Sequence, residues 1–282
     1  MTVTSQGFEH SPQRVTKIAR RMPASPISSA LIAFAEDPDF FIEPPEGSDR
    51  HADDRFCLTI GPHRRWAGVC RLRLPDDAEQ IAGAVGEIRR LTAGIEHVLW
   101  NVGSSATPIG LPKRLRALGL GDPEPPFEPL VAAMALEHEP LAVQRVEVRR
   151  IATLEEHLAG LEIMLASASW SAAAVAAERE RAEEVFERRQ RRGGLQWLAY
   201  VEGRPVAFAV ADRGPAGLHL GGGSTLPEAR GRGCYRALVR ARWDEAIRLG
   251  LPGLAVQAQY GSSAPILRRL GFAEVATVHT LQ

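Results

Sequence analysis

Apolar positions recur along this chain with two different periods, and the switches between them outline the elements. In "PDDAEQIAGAVGEIRRLTAGI", Ile81, Val85, Ile88 and Leu91 fall at helical spacing behind Asp76 and Asp77, which predicts a helix packed by one face. The apolar run "HVLWNVG" then predicts a short strand, and "TPIGLPKRLRALGLG" a second helix closed by Gly119 or Gly121. Between Met22 and Arg73, clusters of Pro, Asp and Gly predict loops and short strands. The proline-rich "GLGDPEPPFEPL", Gly119 to Leu130, separates this part from the rest.

Beyond that stretch, "AVQRVEVRRIA" reads as extended, and Thr153 followed three residues later by Glu156 is a capping box that starts a helix. One long polar helix is expected over "SAAAVAAERERAEEVFERRQRR", stopped by "RRGG", with Arg188 to Arg192 as its solvated end. The β-rich runs "LQWLAYV" and "PVAFAVADR" around "EGR" predict a hairpin. A third strand, "LHLGGGST", precedes a helix from Tyr235 to Leu249, a strand "GLAVQAQ" and a last helix.

Composition narrows the class. The 282 residues are 45% hydrophobic and 24% charged, as in a globular protein with ample core. Thirty-four basic residues balance thirty-four acidic ones, so no global field draws in nucleic acid or an anionic membrane, and neither is expected as a partner. The three cysteines, Cys57, Cys70 and Cys234, suit neither a disulfide framework nor a zinc site and suggest a reducing compartment. No apolar run reaches the roughly 20 residues that span a bilayer, and the expected location is the cytoplasm. His51, Asp53, Asp54, Cys57 and His63 lie close in sequence without a metal-ligand spacing, so no metal is expected. Trp66, Trp100, Trp170, Trp197 and Trp243 are read as packing residues.

The most informative stretch is "LHLGGGSTLPEARGRGCYRALVRAR", Leu218 to Arg242. Tyr235, Leu238, Val239, Trp243, Ala246 and Ile247 share one helical face, so Gly231 and Gly233 sit at a helix N-terminus. Free N–H groups and the helix dipole can hold an anion there; equally, the glycines can serve only to turn the chain. A P-loop is excluded because no Lys follows, and a dinucleotide fingerprint fails because Arg236 occupies its third glycine position.

Arg230-Gly231-Arg232-Gly233-Cys234, followed by Tyr235 where Gly or Ala is usual, resembles the acyl-CoA motif of the GNAT acyltransferases. A strand and then "SSAPILRRLGFAEV" are similar to the close of the GNAT core, and "VLWNVGSSATPIGLPKRLRALGL" with "AAMALE" resembles the N-terminal half of two-part GNAT proteins. The resemblance implies an α/β fold with a GNAT-like mixed central sheet flanked by helices, in tandem. A degenerate GNAT-like domain would cover residues 1–140 and help wall the acceptor pocket, and the acyl-CoA-binding catalytic domain residues 141–282. It implies acetyl-CoA as donor, with Gly223, Ser224 and Thr225 on the pantetheine arm and thioester, and Arg230, Gly231, Arg232, Gly233, Cys234 and Tyr235 at the pyrophosphate. The acceptor would be a small-molecule primary amine attacking directly in a ternary complex, and a homodimer is an accompanying expectation.

The chemistry is less clearly marked. The family commonly takes its acid from a tyrosine before the "RLGF" turn, where this chain has Leu267; Tyr260, Ser262 and Ser263 are the nearby hydroxyls, with Tyr260 preferred and Cys234 read as packing. Strict alternation puts His219, Gly221, Gly223 and Thr225 on one strand face, leaving His219 as its one side-chain base. The candidate catalytic set is therefore Tyr260, His219 and Ser263. Two rival readings stay open, a CoA-binding module with little catalysis and an enzyme that hydrolyses or decarboxylates an acyl-CoA.

Overall fold

A computed structural model describes residues 27–125, 127–140, 146–167 and 172–282. The expectation for Trp170 and part of that for "AVQRVEVRRIA" lie outside the described residues. The elements of the first half are α1 (Ser29–Glu36), α2 (Pro38–Phe41), β1 (Asp49–Ala52), β2 (Cys57–Ile60), β3 (Trp66–Cys70), α3 (Ala78–Leu91), β4 (His97–Val102), α4 (Leu111–Ala117) and β5 (Leu130–Leu136). Those of the second are β6 (Glu147–Arg150), α5 (Leu154–Ser167), α6 (Ala172–Glu180), α7 (Ala182–Arg191), β7 (Gln196–Val201), β8 (Arg204–Gly214), β9 (Gly217–Thr225), α8 (Cys234–Arg248), β10 (Leu254–Gln259), α9 (Ser263–Leu270) and β11 (Ala273–Leu281).

Local signals place most of these. The side chain of Asp77 accepts from Gln80 N at 2.8 Å and starts α3, whose Ile81, Val85 and Ile88 are buried. Thr153 and Glu156 cap α5 reciprocally, each backbone N–H donating to the other side chain at 3.2 Å. Gly119, at φ +90°, ends the turn after α4. Two expectations change. The stretch read as loops and short strands holds a capped helix, α1, as well as three paired strands. The single polar helix is two, α6 and α7, broken at Arg181, so that Ala182 is buried against Leu161 and Leu165 of α5.

The strands form one mixed sheet in the order β1-β2-β3-β4-β11-β5-β10-β9-β8-β7-β6. Two pairs are parallel, β3 with β4 and β9 with β10, each joined by a crossover helix; the other pairs are antiparallel. The halves interleave: β5 of the first lies between β10 and β11 of the second, and β11 bridges to β4. "LVAAMAL" suits that place because it is apolar at every position and needs cover on both faces. Leu31, Phe34 and Ala35 of α1 cover one face over Ala133 and Ala135, and Ala132, Met134 and Leu136 join the core beneath α8 and α9 on the other. Cys57 and Cys70 face each other across β2 and β3 as free thiols.

Candidate functional site

The parallel pair β9/β10 is the origin of the site. Its two strands are registered only at Leu218–Leu254 and His219–Ala255, after which they part. On its other side β9 pairs with β8 at Val210–Gly221 and again at Phe208–Ser224, so β9 carries one extra residue between them. Gly222 adopts φ +51° in this bulge, and a Cβ on Gly223 would lie 2.7 Å from Cε2 of Tyr235. Both glycines are thus required, one by conformation and one by close approach. The bulge also corrects the strict-alternation reading. His219, Gly221 and Ser224 share the face of Phe208 and Val210, whereas Thr225, opposite Ala207, turns to the α8 side together with Gly223.

Into the opening runs the turn that starts α8. Gly231 and Gly233 have φ +77° and +83°, which places them in the left-handed region, and Gly233 is the N-cap. Among the described residues, none accepts from the N–H groups of Gly231, Arg232, Gly233, Tyr235 or Arg236. These donors and the positive end of the α8 dipole can receive an anion. A groove of about 780 Å³ lies here, lined by Gly223, Ser224 and Thr225 on β9 and by Arg230, Gly231, Gly233, Cys234 and Tyr235 at the turn. Arg232 is not in the lining and pairs with Glu202 of the β7–β8 hairpin at 2.8 Å. Thr225 Oγ1 is buried in the groove wall without a hydrogen-bond partner. An open cradle of N–H donors and an orphaned hydroxyl beside it fit a long ligand carrying phosphates at one end and amide groups along its length.

Beneath the groove, α8 carries a buried charge at Arg242. It is 1% exposed, donates to Leu238 O (3.0 Å) and Val210 O (3.2 Å), and keeps one Nη2 without a partner. Burial pulls the guanidinium down to about 10, opposed by the adjacent Tyr235. Ile247, expected on the packed face, is exposed instead. Cys234 is buried, as its reading as a packing residue required.

The three catalytic candidates separate. Ser263, at the first turn of α9, lines the groove, with its Oγ accepting from Gln259 N at 3.1 Å. Tyr260 does not line it; its hydroxyl donates to Glu274 Oε1 at 2.6 Å and lies 3.2 Å from Thr277 Oγ1 on β11. Leu267, at the place of the usual tyrosine, is fully buried. His219 lines a second cavity. Burial pushes its imidazole down to about 4, and its Nε2 has no partner.

That second cavity, about 480 Å³, lies on the opposite side of the bulge and is walled by both halves. Asp39, Arg50 and Trp66 come from the first half; Met164, Phe208, Asp212 and His219 from the second. Asp212 sits opposite His219 in register and takes a hydrogen bond from Arg189 at 3.4 Å. Asp39 is exposed at the cavity wall; the density of protein around it and then Asp212 hold its carboxyl above the usual range, with Arg50 opposing. Arg188, Arg189 and Arg192 line the wall too, so "RRQRR" is not only a solvated helix end. Arg192 donates to Glu43 O (2.9 Å) and to Pro44 O, tying α7 to the first half. Asp39 and Asp212 carried no sequence signal, because Asp39 lies in a stretch read as loop and each acquires its neighbour only in the fold. Among the described residues no group of three or more metal-ligating side chains occurs, and no helix is long and apolar enough to cross a membrane.

No family model matches the sequence, and no curated protein matches it. Solved structures do. A GCN5-related N-acetyltransferase from Kribbella flavida superposes with a TM-score of 0.65 at 17% identity, over 89% of this chain and 94% of that one. Another from Sphaerobacter thermophilus gives 0.57 at 16%, over 84% and 82%. A tandem GNAT protein from the clavulanic acid biosynthesis pathway gives 0.55 at 15%, over 84% and 83%. The chain therefore has the GNAT acetyltransferase fold, and 84% of it superposes on a tandem example.

Proposed function

We propose that this protein transfers an acetyl group from acetyl-CoA to a primary amine of a small molecule, by direct attack in a ternary complex. The observation that carries the reading is the parting of β9 from β10 beside a helix N-terminus whose N–H groups have no internal acceptor. The GNAT fold shared with the Kribbella and Sphaerobacter acetyltransferases supports it. In this reading residues 141–282 carry the acyl-CoA site, and residues 1–140 are a degenerate copy that walls the acceptor.

Acetyl-CoA supplies an acetyl group already activated as a thioester. The chain's part is to hold and polarise. The N–H groups from Gly231 to Arg236 would grip the pyrophosphate, with Arg230 and Arg236 adding charge. Backbone groups at the Gly222–Gly223 bulge, which have no partner on β8, and Thr225 Oγ1 would bind the pantetheine arm and the thioester oxygen. His219, neutral at physiological pH with a free Nε2, is the candidate proton acceptor; Ser263, in the groove, is the candidate hydroxyl.

A specific observation favours a second reading, a CoA-binding module with little catalysis. Leu267 is buried and Tyr260 is held by Glu274, so no tyrosine hydroxyl enters the groove from α9 or the turn before it. One experiment separates the readings: incubation with acetyl-CoA and a panel of amines, following thiol release and acetylated product. Amine-dependent release with product is the expected result. Tight CoA binding without turnover leaves the module, and thiol release without amine indicates acyl-CoA hydrolysis.

A further inference from the structure

The cavity on the far side of the bulge states its ligand preference through which of its groups are already satisfied. Every arginine in its wall has an acceptor within the protein. Arg50 donates to Asp39 O (2.6 Å), Ile42 O (2.8 Å), Phe40 O (3.4 Å) and Thr59 Oγ1 (3.3 Å). Arg188 pairs with Glu184 at 2.9 Å, Arg189 with Asp212, and Arg192 with the carbonyls of Glu43 and Pro44. No cation is left over to receive an anionic ligand. The open groups are the Asp39 carboxylate, exposed to the cavity and receiving no hydrogen bond from a described residue, and two buried atoms, the ring nitrogen His219 Nε2 and the amide donor Gln196 Nε2. An unpaired carboxylate that faces a largely apolar cavity attracts a cationic donor, and a buried atom left unmet costs free energy that a ligand group recovers. The rest of the wall, with Leu161, Met164, Phe208, Val210 and Trp66, is apolar. The cavity reaches Gly221 and Gly222, and the next residue, Gly223, lines the groove proposed for acetyl-CoA, so only the bulge stands between them.

We propose that this cavity is the acceptor site, and that Asp39 is the residue that seats the acceptor there, selecting a compact primary ammonium with an apolar body. The assignment rests on the acyltransferase reading for its consequence, while the binding it asserts is independent of turnover. Asp39 rather than Asp212 takes the ammonium because Arg189 already occupies Asp212. Its place on α2, in the half of the chain without the CoA turn, makes the first half the specificity-determining part. At about 480 Å³ the cavity suits a small metabolite and not a protein tail.

The test is calorimetric titration of the full chain, without CoA, using phenethylamine and cyclohexylamine against 2-phenylethanol and hydrocinnamate as neutral and anionic counterparts. The amines are expected to bind about tenfold more tightly than the alcohol or the carboxylate. Asp39→Asn should erase that preference and leave CoA affinity and the melting temperature unchanged, and Asp39→Glu should restore part of it. Equal or tighter binding of the carboxylate, an amine preference that survives Asp39→Asn, or no binding by either amine overturns the proposal. Where acetylation is measured, Asp39→Asn should raise the amine KM by more than it lowers kcat. Failure of CoA to bind, with amine selectivity intact, would sink the acyltransferase reading and spare this site.

Discussion

The two halves each run a strand into a glycine turn and a helix, and they treat that turn oppositely. In the first half β4 leads through Gly103–Gly110 into α4, and the turn is closed from within. Glu36 fills the space beside Gly103, where a Cβ would lie 2.1 Å from its Oε1, and accepts from Ser105 N and Oγ at 2.5 and 2.7 Å. Leu111 N donates to Pro108 O, Pro112 has no N–H, and Lys113 N donates to Gly110 O. In the second half the turn into α8 has a left-handed glycine at the same N-cap position, φ +83° against +80° for Gly110, yet its N–H groups are open. Buried polar atoms without partners follow the same division. Gln196 Nε2, His219 Nε2, Thr225 Oγ1 and Arg242 Nη2 belong to the second half, and Ser48 Oγ to the first. A protein carboxylate satisfies the first turn from within, whereas the second is left open to a ligand.

Four measurements can break or sharpen that contrast, and the largest effect is expected at the closed turn. Glu36→Ala should cost about 3 kcal/mol in chemical denaturation, because two part-buried charge-assisted hydrogen bonds, from Ser105 N and Oγ, are lost. CoA affinity should not change; a drop would mean that the first turn also serves the ligand. Next, Gly233→Val forces a β-branched residue into the left-handed region at a cost of about 2 kcal/mol. It should weaken CoA binding at least tenfold by isothermal titration, and unchanged affinity would remove the turn from the site.

The third concerns pH. The folded pKa of His219, about 4, lies below its ordinary 6.5, so between these values the unfolded chain takes up a proton that the folded chain refuses. The stabilisation is therefore complete above about pH 6.5 and lost as pH falls toward 4, on the order of 3 kcal/mol. His219→Phe, measured by urea melts across that window, should flatten the slope. An unaltered slope would mean that His219 is not the group left unmet. The smallest effect is expected at Thr225→Val. Removing a hydroxyl with no internal partner should leave stability level or slightly higher, yet lower CoA affinity about fivefold. A loss of stability with no change in affinity would make Thr225 a structural residue and weaken the contrast.

Legibility from sequence varied with the range of the interactions involved. α3, the α5 capping box, the β7–β8 hairpin and the RGRG turn follow from residues within a few positions of one another, and they were readable. α1 does not show in the sequence because its eight capped, mainly apolar residues stand beside clusters of proline and aspartate. The face assignment on β9 failed at one point: an extra residue in a strand reverses every side chain beyond it, and only the pairing with β8 reveals where the extra residue lies. Nothing local sets Arg242 apart from the other arginines of α8; it is buried where β8 supplies a carbonyl at its depth.

The sequence by itself determined the succession of strands and helices in the second half, α3, and the glycine turn at the N-terminus of α8, since these depend on backbone conformation and local hydrogen bonding. The tertiary structure alone decided that β9 and β10 part, that β5 inserts between β10 and β11, and that Asp39 meets Asp212 and His219 across a shared cavity. Those outcomes depend on non-local strand pairing and on which charges find partners when distant segments pack together. No periodicity in a single chain encodes either one.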